Sequence, residues 1–100
     1  MSVIETVRFS LNPGVGAEEI KMAWCGSEGF VRAQPGFQRR RLVEGEDGTW
    51  QDIVEWQDME SAKAASAAFD PEAHPELGQL MAAIDPGTVQ MSHATVHGEM

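Results

Sequence analysis

The stretch that most constrains the fold of this chain is a β-hairpin pattern between residues 34 and 58. Pro35-Gly36 ends a preceding helix, because proline cannot continue a helix and glycine accepts a positive φ. Farther along, Asp47-Gly48 is the dipeptide typical of a two-residue type I′ turn. A turn centred on this dipeptide predicts a register, with Arg39 opposite Trp56, Arg40 opposite Glu55, Arg41 opposite Val54 and Leu42 opposite Ile53. In that register an apolar pair and an opposite-charge pair share one face of the hairpin.

The segment before the hairpin and the segment after it each predict one strand and one helical region. Residues 3–9 and 88–97 alternate as strands do, and apolar residues recur at helical spacing in residues 18–33. A second helix is expected from Asp58, a good N-cap residue, with an interruption at Asp70-Pro71. The order strand, helix, strand, strand, helix, strand predicts a ferredoxin-like α+β fold, with a four-stranded antiparallel sheet and its helices on one face.

This topology also assigns positions to the strands. The first and third strands belong in the centre of the sheet, and the Arg-rich second strand belongs at an edge. Gly26 and Gly29 inside the first helix indicate either that a neighbouring element packs closely there or that space is left for a ligand, and close packing is the favoured interpretation. The sheet face without helices carries apolar residues, so we expect it to meet a partner.

The size and charge of the chain narrow the classes of partner. A length of 100 residues predicts a single domain, residues 1–100. With 7 Lys+Arg against 16 Asp+Glu, the net charge of −9 makes nucleic acid and anionic membranes poor partners. The only basic cluster is Arg39 to Arg41, which fits either a charged edge strand that discourages edge pairing or a clamp for a carboxylate or phosphate.

Cysteine use and the N-terminus bear on the compartment. Cys25 is the single cysteine, so no disulfide framework within the chain is possible, as fits a reducing compartment. The first residues lack the basic and apolar regions of a signal peptide, and no apolar run has the length of a membrane span. We therefore expect a cytoplasmic protein.

The three histidines are the candidates for acid–base chemistry, because imidazole changes charge closest to neutral pH. His74 lies where a helix begins and His93 lies in the last strand, so each also has a purely structural interpretation; His97 is expected at the surface. No histidine, cysteine or carboxylate spacing matches a metal site. Six aromatic residues could line a pocket or form the core: Trp24, Phe30, Phe37, Trp50, Trp56 and Phe69.

Several of these residues resemble a known family. Pro35-Gly36-Phe37 opens the second strand, an Asp-Gly turn follows, and Val54-Glu55-Trp56-Gln57-Asp58 ends the third strand before an acidic helix start. Over Val3 to Val96 the chain resembles the antibiotic biosynthesis monooxygenase-like domains of the dimeric α+β barrel superfamily. The resemblance implies a homodimer that packs through the sheet faces, with a pocket between the sheet and the helices.

The resemblance implies three functions. The first is cofactor-independent oxidation of a small quinol- or phenol-like aromatic, with neither cofactor nor metal and with His74 or His93 as the base. Trp24 and Trp56 would hold the ring, and Arg39 and Phe30 would complete the substrate-binding set. The second is a non-catalytic small-molecule-binding or stress-response barrel. The third is haem binding and degradation, which ranks last: Trp56 matches the tryptophan of the Asn, Trp, His triad in haem-degrading members, but the first strand offers Glu5 and Thr6 instead of Asn, and Ser66 stands where the haem-ligating His would be.

The resemblance and the register together assign the two faces of the hairpin. The face that carries Leu42, Ile53, Arg40 and Glu55 is expected to meet the second subunit. The face that carries Arg39 and Trp56 is expected beneath the helices, beside any pocket.

Overall fold

The computed structural model describes all residues from Met1 to Met100. The strands are β1 Val3–Phe9, β2 Phe37–Glu44, β3 Trp50–Trp56 and β4 Gln90–Thr95; the helices are α1 Ala17–Gly26, α2 Glu28–Ala33, α3 Met59–Ala68 and α4 Pro75–Ala83, with a 3-10 turn at Pro86–Thr88. All strand pairs are antiparallel, in the order β2-β3-β1-β4. The predicted ferredoxin-like α+β fold is confirmed, with β1 and β3 central and the Arg-rich β2 at an edge. None of the helices combines the length and the apolar character that a membrane-spanning segment requires.

The core lies between the sheet and the helices and consists of two clusters. In β1 and β3, every second side chain points to the helices, as the period of a strand requires. One cluster joins Val3, Val54 and Trp56 to residues of α2, α3 and α4; the other joins Phe9 and Trp50 to Ile20 of α1 and the end of α4. The fold therefore has one helix-facing side and one outer side of the sheet.

The first helical region breaks into α1 and α2 at Ser27, where one continuous helix was predicted. The Ser27 hydroxyl donates to the carbonyl of Trp24 at 2.6 Å, a side-chain bond that competes with helical backbone bonding. The prediction of close packing at Gly26 and Gly29 is wrong, because a Cβ at either position would meet nothing within 4 Å. Gly26, directly before Ser27, and Gly29, two residues after it, instead favour the break through their low helix propensity.

The hairpin turn has three residues and not two. The Gly45 amide donates to the Thr49 carbonyl at 2.8 Å, and the Gly48 amide donates to the Gly45 carbonyl at 3.0 Å. Within the loop only Gly48 has a positive φ, 82°, whereas a type I′ turn needs a positive φ at both central residues. The loop is therefore a type I turn closed by a glycine in the left-handed region, the arrangement known as a G1 bulge.

This extra residue shifts the register by one, so the predicted register is wrong. The observed pairs are Arg39 with Glu55, Arg40 with Val54, Arg41 with Ile53 and Leu42 with Asp52. A shift of one residue exchanges the two faces of a strand. Arg40 and Leu42, predicted on the outer side, therefore point to the helices, and Arg39, predicted beside Trp56, points to the outer side. The β3 residues were placed correctly, with Trp56 beneath the helices and Ile53 and Glu55 outside.

Candidate functional site

The first polar cluster on the helix-facing side, called here the Arg40 cluster, consists of Arg40, Asp52, Trp24 and Ser27. The guanidinium of Arg40 donates to both carboxylate oxygens of Asp52, from Nε at 3.0 Å and from Nη2 at 2.7 Å. Its Nη1 donates to Ser27 Oγ at 2.7 Å, and Trp24 Nε1 donates to Asp52 Oδ1 at 3.1 Å. The Arg40 and Asp52 side chains are only 8% and 14% exposed. Burial makes this two-point ion pair a fixed part of the structure.

The local structure explains why these four side chains meet. Asp52 lies diagonally across the β2–β3 ladder from Arg40, a distance that a long side chain bridges on one sheet face. Trp24 and Ser27 lie at the end of α1, which packs above β2 and β3. The Arg40 guanidinium lies over the Trp24 ring, with its Cζ 4.7 Å from the ring centroid. The break after α1 therefore contributes directly, because Ser27 reaches Arg40 from that point.

Two adjoining clefts open between α1 and the edge strand β2. The larger has a volume of about 470 Å³ and the smaller about 180 Å³. Trp24, Cys25 and Arg40 line both. Every residue from Phe37 to Val43 lines one or the other, including residues of both sheet faces, because no further strand covers the outer edge of β2.

The second polar cluster, called here the Glu5 cluster, consists of Glu5, His93 and Ser66. Glu5 of β1 and His93 of β4 are direct partners in the sheet, and His93 Nε2 lies 2.9 Å from Glu5 Oε2. Ser66 of α3 donates to the same oxygen at 3.2 Å. The Glu5 side chain is 9% exposed and the His93 side chain 23%. A buried carboxylate thus orients an imidazole that solvent still reaches.

The contact with Glu5 decides which ring nitrogen of His93 can act as a base. An ionised carboxylate only accepts hydrogen bonds, so the contact requires a hydrogen on Nε2. In the neutral ring the lone pair then lies on Nδ1, which has no hydrogen-bond partner in the protein. The arrangement matches the carboxylate–imidazole pairing that general bases use.

One further polar group lies on the same side of the sheet. Trp56 pairs with Val3 in β1, two residues from Glu5, and is 3% exposed. Its indole nitrogen Nε1 is buried and has no hydrogen-bond partner. Buried donors of this kind are rare, because each costs desolvation free energy without a compensating bond.

The predicted site residues fall into three separate places. Trp24 and Arg39 both line the smaller cleft. Phe30 and Trp56 belong to the core beneath α3, and Phe30 contacts the ring of His74 with centroids 5.0 Å apart. His74 itself is the N-cap residue of α4, with a 43% exposed side chain and its Nδ1 3.5 Å from Glu76. Neither His74 nor His93 lines either cleft, so the structure does not unite the histidines with Trp24. The functional role of each of these residues stays a prediction.

The sequence interpretation missed Glu5 as a site residue and misplaced Arg40. A signal for Glu5 existed, because it occupies the same alternation phase as Val3, Val7 and Phe9, and a lone carboxylate on a buried face requires a partner. No comparable signal existed for Arg40, whose face depends on the turn. No group of three or more His, Cys, Asp or Glu side chains could hold a metal ion.

Comparisons with known proteins give matches among solved structures only. No family model and no curated protein matches the sequence. SnoaB, a cofactor-independent oxygenase from Streptomyces nogalater, matches with a TM-score of 0.75 and 23% identity over 99% of this chain and 96% of its own. ActVA-Orf6, a monooxygenase from Streptomyces coelicolor solved with nanaomycin D, matches with a TM-score of 0.73 and 17% identity over 99% and 90%.

A third match concerns assembly. A dimeric ferredoxin-like protein of unknown function from Jannaschia sp. has a TM-score of 0.71 and 15% identity, over 96% of this chain and 100% of its own. At these identities the matches show a shared fold. The resemblance that the sequence suggested is therefore confirmed for the fold, which several proteins named putative antibiotic biosynthesis monooxygenases share.

Proposed function

We propose that the protein is a cofactor-independent oxygenase of a small phenol- or quinol-like aromatic, with His93 as the base. The observation that carries the proposal is the Glu5–His93 pair. It holds an imidazole with Nδ1 free to accept a proton, in a fold shared with SnoaB and ActVA-Orf6. Of the three functions considered, this one makes use of the buried carboxylate.

The chemistry requires little beyond a placed base. His93 Nδ1 takes the hydroxyl proton of the substrate, and Glu5 stabilises the imidazolium that results. The electron-rich phenolate then reacts with O₂ at a ring carbon. One oxygen atom stays on that carbon as a carbonyl, and the other leaves as water with the hydroxyl hydrogen and the hydrogen of that carbon. The aromatic substrate is oxidised by four electrons to the quinone, and O₂ is the only oxidant.

Access to His93 comes from the β4 side of the sheet. β4 is an edge strand, and Met91, the next residue on its helix-facing side, is 52% exposed. A flat ring that enters over Met91 can reach the partly exposed imidazole.

His93 is a better base than His74 on geometric grounds. The Nδ1 of His74 lies 3.5 Å from Glu76, and both side chains are more than a third exposed. His74 is also the residue at which α4 begins. Such an exposed pair gives little orientation. The proposal therefore gives His74 no catalytic part; the residue begins α4 and packs on Phe30.

The test measures O₂ consumption and formation of the hydroxyquinone that carries one added oxygen atom, with a panel of hydroquinones and naphthalenediols, each corrected for autoxidation without protein. His93→Ala is expected to lower the turnover rate by about 10²- to 10⁴-fold, the usual contribution of a general base. Glu5→Gln is expected to lower it as well, because the Gln amide can donate to Nε2 and move the ring hydrogen to Nδ1. His74→Ala serves as the control and should retain the wild-type rate. Full activity of His93→Ala, or no turnover with any member of the panel, would refute the proposal.

A binding protein without catalysis is the second candidate, and one observation favours it. The α1–β2 clefts carry two tryptophans but no histidine, and His93 lies three strands away from β2, about 14 Å at the usual strand spacing. Ligand binding in these clefts together with no turnover of the panel would support this candidate.

We also propose that two copies pair through the outer face of the sheet. Ile4 and Ile53 are partly exposed there, Val43 is 38% exposed, and the dimeric Jannaschia protein shares the fold. Sedimentation analysis should show a dimer for the wild type and for Met22→Asp, a control on the exposed side of α1, and a monomer for Ile53→Asp. A monomeric wild type would rule out this pairing.

A further inference from the structure

We infer that the α1–β2 clefts bind an aromatic carboxylate, a small flat molecule with one anionic group. This site is separate from the Glu5 cluster and does not depend on the proposed oxygenase activity. Its evidence is the distribution of charge, the pairing of each cation and the apolar walls of the larger cleft.

The positive charge of the molecule is concentrated at these clefts. The chain has only 7 Lys and Arg residues against 16 Asp and Glu. Five of the seven line the two clefts: Lys21, Arg32, Arg39, Arg40 and Arg41. The only carboxylates among the lining residues are Glu18 and Glu28. On a protein with a net charge of −9, this is a local positive region that attracts anions.

The cations of the larger cleft differ in how far their charge is compensated. Arg40 is fully engaged by Asp52 and Ser27, so it forms part of the wall. Lys21 and Arg41 form no ion pair within the protein, and Glu18 is the only carboxylate that lines this cleft. Within one copy of the chain, Lys21 and Arg41 are therefore the two cations of this cleft that no ion pair compensates.

The cations of the smaller cleft are weakly paired. Arg39 lies 3.7 Å from Glu55, and Arg32 lies 3.3 Å from Glu28, with both arginine side chains more than half exposed. Ion pairs of this kind contribute little and exchange readily for another anion. They add to the positive potential without blocking the larger cleft.

The walls of the larger cleft suit a flat aromatic body. Trp24, Trp50 and Leu42 provide aromatic and aliphatic surface, and a volume of about 470 Å³ falls within the usual range for small-molecule sites. The Arg40 guanidinium fixes the Trp24 ring from one side, so this aromatic wall is already in place before binding. Arg41 lies on the outer face of β2 but borders the cleft because β2 is the edge strand.

The experiment compares 1-naphthoate with its neutral analogue 1-naphthamide by ¹H–¹⁵N NMR titration of the full chain. 1-Naphthoate is expected to shift the indole N–H signals of Trp24 and Trp50 but not that of Trp56, and to bind more tightly than the amide. This preference should fall in 0.5 M salt, because exposed charges are then screened.

Charge variants localise the site. Lys21→Gln and Arg41→Gln should each weaken naphthoate binding by about two- to fivefold, the range for exposed ion pairs, and the double variant by about five- to twentyfold. Lys63→Gln makes the same charge change on α3, away from both clefts, and should bind as the wild type does. Equal binding of the amide, equal losses in Lys63→Gln, or shifts at Trp56 alone would overturn the inference.

A final variant separates this inference from the proposed function. His93→Ala should bind 1-naphthoate with unchanged affinity even if all oxygenase turnover is lost. Loss of naphthoate binding in His93→Ala would show that the ligand occupies the Glu5 cluster, and would overturn the assignment to the α1–β2 clefts.

Discussion

Removing one half of the Arg40–Asp52 ion pair should be strongly destabilising. Both side chains are less than 15% exposed, and two charge-assisted hydrogen bonds of 3.0 and 2.7 Å join them. Arg40→Met would leave the Asp52 carboxylate buried with only the Trp24 indole as a donor. Breaking a buried pair in this way costs about 3–5 kcal/mol. Since a domain has only about 5–15 kcal/mol of unfolding free energy in total, the variant should be marginally folded.

A double-mutant cycle separates the pair from the packing around it. Arg40→Met and Asp52→Leu should each cost about 3–5 kcal/mol, but the double variant far less than their sum, because no buried charge is left unpaired. Urea unfolding followed by circular dichroism measures these differences. With a slope of about 1–3 kcal/mol per molar urea, each single variant should lower the midpoint by about 1–5 M.

Arg39→Met is the matched control from the neighbouring position. Arg39 is 59% exposed and lies 3.7 Å from Glu55, so its removal should cost less than about 1 kcal/mol. If Arg39→Met destabilised the protein as much as Arg40→Met, Arg39 would be the buried arginine and the observed register would be wrong. Additive single variants would contradict the claim that Arg40 and Asp52 compensate each other.

Two further predictions concern local backbone structure. Gly36→Ala should destabilise the protein more than Gly48→Ala in the same urea assay. Both glycines have a positive φ. A Cβ at Gly36 would lie 2.6 Å from the Ser61 Cβ, whereas a Cβ at Gly48 would meet nothing within 4 Å. The Ser61 amide at the start of α3 donates to the Asp58 carboxylate and lowers its pKa below the ordinary value of 3.8. The ionised carboxylate therefore stabilises the fold above pH 3.8, and this stabilisation disappears as the pH falls through the lowered pKa. Asp58→Asn should therefore be less stable than the wild type at pH 7 and differ less from it near pH 2; a constant difference between the two would contradict the assignment.

The elements of the fold were predictable because they depend on local patterns. The alternation of β1 gave its bounds correctly, and Asp58 caps α3 as expected, with its carboxylate accepting from the Ser61 amide at 2.8 Å. The order of the strands followed from the connections between them. The two polar clusters were less predictable, because each joins residues far apart in the sequence: Glu5 meets His93 across β1 and β4, and Arg40 meets Asp52 and Trp24.

The predicted turn type was wrong, and this local error set the wrong register for the whole hairpin. Asp47-Gly48 fits a type I′ turn, but it equally fits the last two residues of a three-residue loop, in which only the glycine needs a positive φ. The Asp47 carboxylate accepts a hydrogen bond from the Thr49 amide at 2.9 Å, which stabilises the longer loop. Because the two loops differ by one residue, the choice between them decides which arginine of β2 is buried.

The predicted register would bury an arginine without a partner. This cost is an argument for the observed register. The two-residue turn would place Arg39 opposite Trp56, which is 3% exposed and packs among apolar residues. A charge buried there without a partner would cost several kcal/mol, more than any cross-strand pair could offset. The three-residue turn instead places Arg40 diagonal to Asp52, and the irregularity between Phe37 and Arg39 brings Phe37 opposite Trp56, with ring centroids 6.0 Å apart. Both arginines have a carboxylate nearby, but only Arg40 has one that is buried with it on the helix-facing side, and the Arg40–Asp52 pair shapes the wall of the α1–β2 clefts.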